Sequence, residues 1–499
     1  MPAESLDCRA VLRTLSFGQR IAEEERDFLA KYFVETDQWR RMYSGDVDIV
    51  YGAKGSGKSA LYFLLIERSD SFRESGINLI TGENPRGTPV FRDLATEPPA
   101  SEREFVDLWK LYFLSLLGQV ILQLDLSNVE AVNLLERLRG AGLLKPEGGL
   151  KALLRTVRDY VRRFSGVEGG VKLDPATGSP TGITGKIMFD QPSTQQRIEG
   201  IVSVDELFEK ANIALEKADR TVWILLDRLD VAFAETAELE QNALRALFKA
   251  YLDLQGFARL RLKIFLRSDI WTRLTESGFR EASHITRTAT ISWNRTSLLN
   301  LIVRRALQNV ELRKFYSVDE QLLSSTTDQE TLFYWIFPDQ VESGTNKPQT
   351  LEWLLSHTQD GSAQTAPREL IHLLNSVRDG QYRKLELGES EPEKQQLFTR
   401  TAIKEGLPEV SKARLEQTLY AEYPSLRLLC EKLRGEKAAH TPDTLARIWG
   451  IDQTEALGLA RKLVDVGFFE DRVIKGVQTF WVPFLYRDAL ELVQGTATD

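Results

Sequence analysis

The residues with the most pointed chemistry are Gly52-Ala53-Lys54-Gly55-Ser56-Gly57-Lys58-Ser59, followed by Ala60. Their spacing is that of G-x-x-x-x-G-K-[ST], a loop that cradles a row of phosphates. Glycines at 55 and 57 let the backbone curl so that its N–H groups converge on an anion. A helix that starts there adds its positive end. In such a loop Lys58 reaches the β- and γ-phosphates and Ser59 places a hydroxyl on Mg²⁺. The ligand expected between Gly52 and Ala60 is therefore ATP with Mg²⁺. A second signal is Val222-Trp223-Ile224-Leu225-Leu226-Asp227, an apolar run ending in a carboxylate. An acid at the C-terminal edge of a strand can hold the magnesium shell opposite Ser59, so Ser59 and Asp227 are the candidate metal pair. Arg228 follows Asp227 and cannot accept a proton, since arginine stays charged. Asp230 is the candidate to activate water, and it equally suits a cap on the next helix.

Two arginines extend the set. Lys263-Ile264-Phe265-Leu266-Arg267-Ser268-Asp269 is an apolar strand running into polar residues, which makes Arg267 a candidate sensor of the γ-phosphate. In Ala366-Pro367-Arg368, proline suits a first helical turn and puts Arg368 where it can point back at a nucleotide. A surface arginine at a strand end or on a solvated helix explains the same residues.

These side chains need a scaffold. Asp46–Tyr51 reads as a strand entering the loop and Ser59–Glu67 as the helix leaving it. Ile77–Thr81 reads as another strand. Val222–Leu226 and Leu262–Leu266 are continuous apolar runs, as in strands buried on both faces. Strands alternating with helices predict a three-layer α/β core with a parallel sheet. Residues 17–43 read as one or two helices, and Leu108–Leu126 as a long apolar one. The Gly-, Pro-, Thr- and Ser-rich stretch 165–197 reads as a β-hairpin or mobile loop. After about residue 310 the pattern turns helical.

The chain has 499 residues, too many for one core. Four segments are expected: 1–44 helical, 45–310 the nucleotide-binding core with an insertion near 120–200, 311–435 a helical lid, and 436–499 a winged helix. Net charge is −8 with a pI near 5.5, so any nucleic-acid contact must be a local patch. Cys8 and Cys430 lie far apart, and four histidines leave little material for a zinc site. No apolar run reads as long enough to span a bilayer and the polar start is no signal peptide, so a cytoplasmic protein with no membrane partner is expected.

The blocks AKGSGKSAL, WILLDRLD, KIFLRSDIW, ISWNRTSLLNLIVRRAL and Leu351 through Arg368 fall in order over residues 17–380. Together they resemble the STAND, KAP and AAA+ branches of bacterial P-loop ATPases. The resemblance implies an ATPase core, a helical lid carrying a second sensor at Arg368, and a C-terminal regulatory domain. It implies an ATP-driven switch that forms homo-oligomers, with a protein partner or a separate effector, in bacterial defence or a DNA-linked process. The chain departs from the pattern at Arg228, where many hydrolysing members carry an acid. A DNA-binding ATPase of origin-recognition type, or a nucleotide-binding scaffold with little turnover, is the alternative.

The C-terminal segment supplies the DNA question. His440–Gly450 and Asp452–Val466 read as helix, turn, helix, and Arg472–Gly476 with Val477–Val482 as a wing. The second helix opens with Asp452, Gln453, Thr454 and Glu455, poor material for base edges or phosphates. Trp449, Phe468, Phe469 and Phe480 favour protein contact. Lys151, Arg155, Arg158, Arg162 and Arg163 line one side of an amphipathic helix opposite Leu153, Leu154, Val157, Val161 and Phe164. That basic face is either a binding surface or the solvated side of the insertion.

Overall fold

The computed structural model describes residues 7–22, 24–25, 29–84, 90–92, 94, 98–99, 101–144, 149–164, 187–229, 237–474 and 476–497. It divides into two compact units. One comprises Asp37–Gly52 and Lys58–Thr290; the other comprises Met1–Thr36, Ala53–Gly57 and Ile291–Asp499.

The first unit is built on a five-stranded sheet. Its strands are β1 (Ile49–Gly52), β2 (Ile77–Thr81), β5 (Thr221–Leu226), β6 (Leu260–Arg267) and β7 (Thr288–Thr290); β3 (Ile187–Met188) and β4 (Val202–Ser203) form a separate parallel pair. The order across the sheet is β2-β5-β6-β1-β7 and every pairing is parallel. Thus β6 lies between the strand that enters the glycine loop and the strand that ends at Asp227.

Alternation along the strands puts helices on both faces. Val222, Ile224 and Leu226 of β5 and Leu260, Leu262, Ile264 and Leu266 of β6 share a core with the helices Glu102–Gln123, Val204–Lys217 and Ala237–Leu254. The intervening Trp223 meets Phe72 at 5.1 Å, and Phe265 meets Tyr62 of the Lys58–Glu67 helix at 5.8 Å.

The Glu102–Gln123 helix is capped by Ser101, whose hydroxyl accepts the Glu104 amide. It begins before the expected Leu108 because the cap and the acidic first turn carry no apolar signal. By length and composition alone it could cross a bilayer, contrary to the sequence reading; it is mostly buried in the core of this unit. The stretch 120–200 contributes the Val129–Gly140 and Gly149–Phe164 helices, and on the latter Leu153, Leu154, Val157 and Val161 are buried as the pattern predicted. The side chains of Arg163 and Phe164 and the centre of the turn-rich stretch, 165–186, lie outside the described residues. Beyond that centre, β3 pairs parallel with β4.

The second unit is helical, with Arg295–Leu307, Thr326–Ile336, Thr350–His357, Pro367–Glu386 and Arg400–Arg414 as its larger members. Its last part adds β8 (Lys437–His440), β9 (Glu470–Ile474), β10 (Val477–Trp481) and β11 (Val493–Thr496), in the order β11-β8-β10-β9. Between β8 and β9 stand the helices Pro442–Trp449 and Gln453–Asp465. Thr441 caps the first, Gly450 ends it at a φ of 74°, and Asp452 caps the second through the Thr454 and Glu455 amides. One hydrophobic core runs from Val11 and Leu298 through Leu374 and Leu407 to Phe469 and Tyr486, so residues 436–497 share their interior with the helices before them. The N-terminal stretch up to Thr36 belongs to this unit, where Glu25 holds the buried Arg305 guanidinium at 2.6 and 2.8 Å.

Candidate functional site

The unit boundary falls inside the glycine loop, with residues 53–57 on one side and Gly52 and Lys58 on the other.

In the sheet-bearing unit, β1 delivers Gly52 and the Lys58–Glu67 helix starts on the loop lysine. Lys58 Nζ donates to the Gly52 carbonyl at 2.9 Å. Ser59 Oγ donates to Asp227 Oδ2 at 2.8 Å. Asp227 follows the last residue of β5 and is buried at 5% exposure. The two residues named as a metal pair are thus adjacent, a hydroxyl and a carboxylate, which is an oxygen donor set suited to Mg²⁺.

Asp230 lies outside the described residues. Arg228 sits at a φ of 61° and directs Nη1 to the Asn84 carbonyl at 3.4 Å. Arg267, the last residue of β6, grips Asp269 with Nε at 3.0 Å and Nη2 at 2.9 Å. That pairing lowers the Asp269 carboxyl below its usual range against the opposing effect of burial.

Sequence reasoning passed over Glu83. Thr81 of β2 is in register with Leu225, and the Gly82 amide donates to the Leu225 carbonyl at 2.8 Å. Two more residues on each strand bring Glu83 level with Asp227. Glu83 is 1% exposed; its Oε1 accepts the amides of Asn84 (2.7 Å) and Val90 (2.6 Å), and its Oε2 has no hydrogen-bond partner among the described residues. Burial pushes this carboxyl up to about 7, with the amides and Arg228 pulling the other way. An acid just past an apolar strand was the available signal, the same one that marked Asp227.

In the helical unit, Gly55 and Gly57 take φ of 80° and 103°, conformations that suit glycine. A Cβ on Gly55 would lie 3.0 Å from the Arg368 Cβ, whereas one on Gly57 would meet nothing within 4 Å. Ser56 is 3% exposed and its Oγ has no hydrogen-bond partner among the described residues. An orphaned donor in a loop with open space beside Gly57 fits an oxyanion ligand. Ala53 and Ser56 line a small cavity with Trp293, whose Nε1 donates to the Ser56 carbonyl at 2.8 Å. Lys54 pairs with Glu422. Pro367 starts the helix as expected, and Arg368 lines a cavity of about 150 Å³ with Arg20, Lys54, Glu369 and Arg414. Trp293 and Glu422 were likewise missed, since neither has a spacing that ties it to the loop.

Among the described residues no cluster of histidine, cysteine and acid offers another metal site. No family model matches the chain. Over 297 residues the chain is 22% identical to the transposon gamma-delta 80.3 kDa protein of Escherichia coli (strain K12), an alignment covering 58% of this chain and 39% of that protein. The chain thus spans about two fifths of the length of this curated relative. A solved structure of the Aeropyrum pernix ORC2 protein, in ADPNP–ADP complexes, covers 96% of the chain and 93% of its own at 12% identity. Its TM-score of 0.29 is too low to assign a fold.

Proposed function

We propose that the chain binds ATP with Mg²⁺ at Gly52–Ala60 and hydrolyses it to switch conformation. The observation that supports this reading is the 2.8 Å bond between Ser59 Oγ and Asp227, the two residues proposed to hold the metal. Bound Mg²⁺ would neutralise charge on the phosphate oxygens. Lys58 supplies the ammonium directed at the phosphates, and the loop amides and the Ser56 hydroxyl supply further donors. Arg228 occupies the place of the usual acid, so the proton from water goes to another carboxylate. Asp230 is one candidate. Glu83 is the other, favoured by its unpartnered Oε2 and its place level with Asp227. Arg368, beside Gly55, serves as the lid's sensor, while Arg267 must exchange Asp269 for a phosphate to act as one.

We read 311–435 as the lid and 436–499 as a winged helix that restrains it through the shared core. Protein contact suits this domain better than DNA: Asp452 and Glu455 open its second helix, and Arg472 is already paired with Glu470 at 2.7 Å. Homo-oligomers, a separate effector and a cytoplasmic role in defence or a DNA-linked process complete the reading. The transposon name of the relative supports the DNA-linked setting.

The test is steady-state phosphate release by the full chain. Wild type should turn over ATP, and Lys58→Ala should abolish release and ATP binding. Glu83→Gln should bind ATP yet lose about 100-fold or more in rate, the scale of a missing general base. Release by Lys58→Ala at the wild-type rate would remove the site; undiminished release by Glu83→Gln would hand the proton to Asp230.

A further inference from the structure

A cavity of about 510 Å³ opens in the helical unit, far along the chain from the phosphate loop, with Arg472, Trp481, Phe484, Arg487, Gln494 and Thr496 in its lining. Its size falls in the range of small-ligand sites. Two arginines and two acids stand in its wall, and they are not paired with one another evenly. Arg472 is neutralised by Glu470, which takes Nε and Nη2 at 2.7 Å each. The second acid of the lining, Asp360, is held by Arg414 at 3.1 Å. Arg487 has no such partner. It is 8% exposed, its Nε donates to the Val482 carbonyl at 2.9 Å, and no carboxylate pairs with it among the described residues.

Arg487 is nevertheless held firmly. Its guanidinium carbon stands 4.1 Å from the Phe484 ring centre and 4.5 Å from that of Trp481, and Arg472 covers Trp481 at 3.7 Å. The rings orient the fork without cancelling its charge. A buried cation with no ion-paired carboxylate is costly even with the Asp488 charge acting on it, and a cavity beside it is where an anion can enter. Burial, with Arg472 close by, holds the guanidinium down at about 10 against the opposite pull of Asp488. An anion arriving at Nη1 and Nη2 relieves both effects.

We infer that this cavity binds a small organic oxyanion, a phosphate monoester or carboxylate of about mononucleotide size, with Arg487 as its bidentate anchor. Trp481 and Phe484 give the body of the ligand an apolar wall, and Gln494 and Thr496 offer hydrogen bonds at the rim. The site lies on the segment read as restraining the lid, so occupancy there would bear on the switch; the binding claim itself does not depend on ATP turnover.

The experiment uses the full chain carrying Lys58→Ala, which silences the phosphate loop, titrated with AMP, adenosine, inorganic phosphate and benzoate by calorimetry. AMP should bind saturably, inorganic phosphate more weakly and adenosine not at all; benzoate in place of AMP would assign the carboxylate source of the same chemistry. Arg487→Gln should weaken binding at least about tenfold, as for loss of a charge-assisted pair, and Arg487→Lys less. Thr496→Trp, at an exposed rim position, should block the ligand while leaving Arg487 in place. Adenosine binding as well as AMP, equal affinity in Arg487→Gln, or no binding of any probe would overturn the inference. So would tight binding of a duplex DNA without saturable binding of the small anions.

Discussion

Replacing Arg414 by methionine is the sharpest test of how the helices of residues 311–435 are tied to the C-terminal segment. One buried guanidinium, 8% exposed, serves two acids: Nη1 meets Glu369 Oε1 at 2.9 Å and Nη2 meets Asp360 Oδ2 at 3.1 Å. Its Nε donates to the Tyr486 hydroxyl at 3.2 Å. The carboxylates are themselves buried, at 5% and 14% exposure, and Glu369 Oε2 has no other partner among the described residues. Arg414→Met keeps the apolar stem but strands both charges, which costs about 3–5 kcal/mol at neutral pH. Burial already raises the Asp360 carboxyl, and Arg414 is the chief influence lowering it. Without the arginine Asp360 holds its proton in the folded state at a pH where the unfolded chain has lost it. The native form of the variant then binds more protons, so its stability falls as pH rises from about 4 toward the raised native value. The penalty is greatest near pH 7 and shrinks, through Asp360, by up to about 1.4 kcal/mol for each unit of acidification. Urea unfolding of wild type and variant at pH 7 and pH 5, followed by near-UV circular dichroism, measures it. A loss below about 1 kcal/mol at pH 7, or the same loss at both pH values, refutes the reasoning.

Two further outcomes are expected. His440, fully buried on β8, and His357, stacked between Trp353 and Phe484, are each pulled down to about 4 by burial. Each neutral ring gives stability that is intact above about 6.5 and is lost as pH falls toward 4, about 3 kcal/mol apiece when fully expressed. His440→Leu should therefore flatten the acid limb of the thermal stability curve between pH 6.5 and 4.5. Gly55→Ala should lower ATP affinity by about tenfold or more in calorimetry, because alanine at a φ of 80° is strained by about 1–2 kcal/mol and its Cβ presses on Arg368.

The sheet and the loop were legible because buried parallel strands are written as unbroken apolar runs and the phosphate loop as a fixed spacing. β2 fell where it was read, while β1 begins at Ile49 rather than Asp46. The reason is Asp48, which is 1% exposed and held by Lys263 at 2.9 Å and Arg287 at 2.7 Å, a polar cluster that no periodicity reveals. Glu83 carries the same local signal as Asp227, an acid just past an apolar strand, but its place level with Asp227 depends on the β2–β5 register. Arg267 was read from its strand end, with no means of seeing that Asp269, two residues on, would claim its guanidinium. The boundary at 435/436 follows the helix-turn-helix and wing pattern, while Phe468, Phe469, Phe480 and Tyr486 fill a core shared with the preceding helices. Arg487 gave no signal at all, since an arginine in a sequence is expected at the surface.

The central claim is that Ser59 and Asp227 hold the magnesium of a bound ATP. Calorimetric titration of ATP into wild type and Asp227→Asn, each with and without Mg²⁺, tests it most directly. The account predicts that Mg²⁺ tightens binding to wild type and that this gain is lost in Asp227→Asn, while metal-free affinity is retained. Equal gain from Mg²⁺ in both proteins, or no ATP binding by wild type, would contradict it.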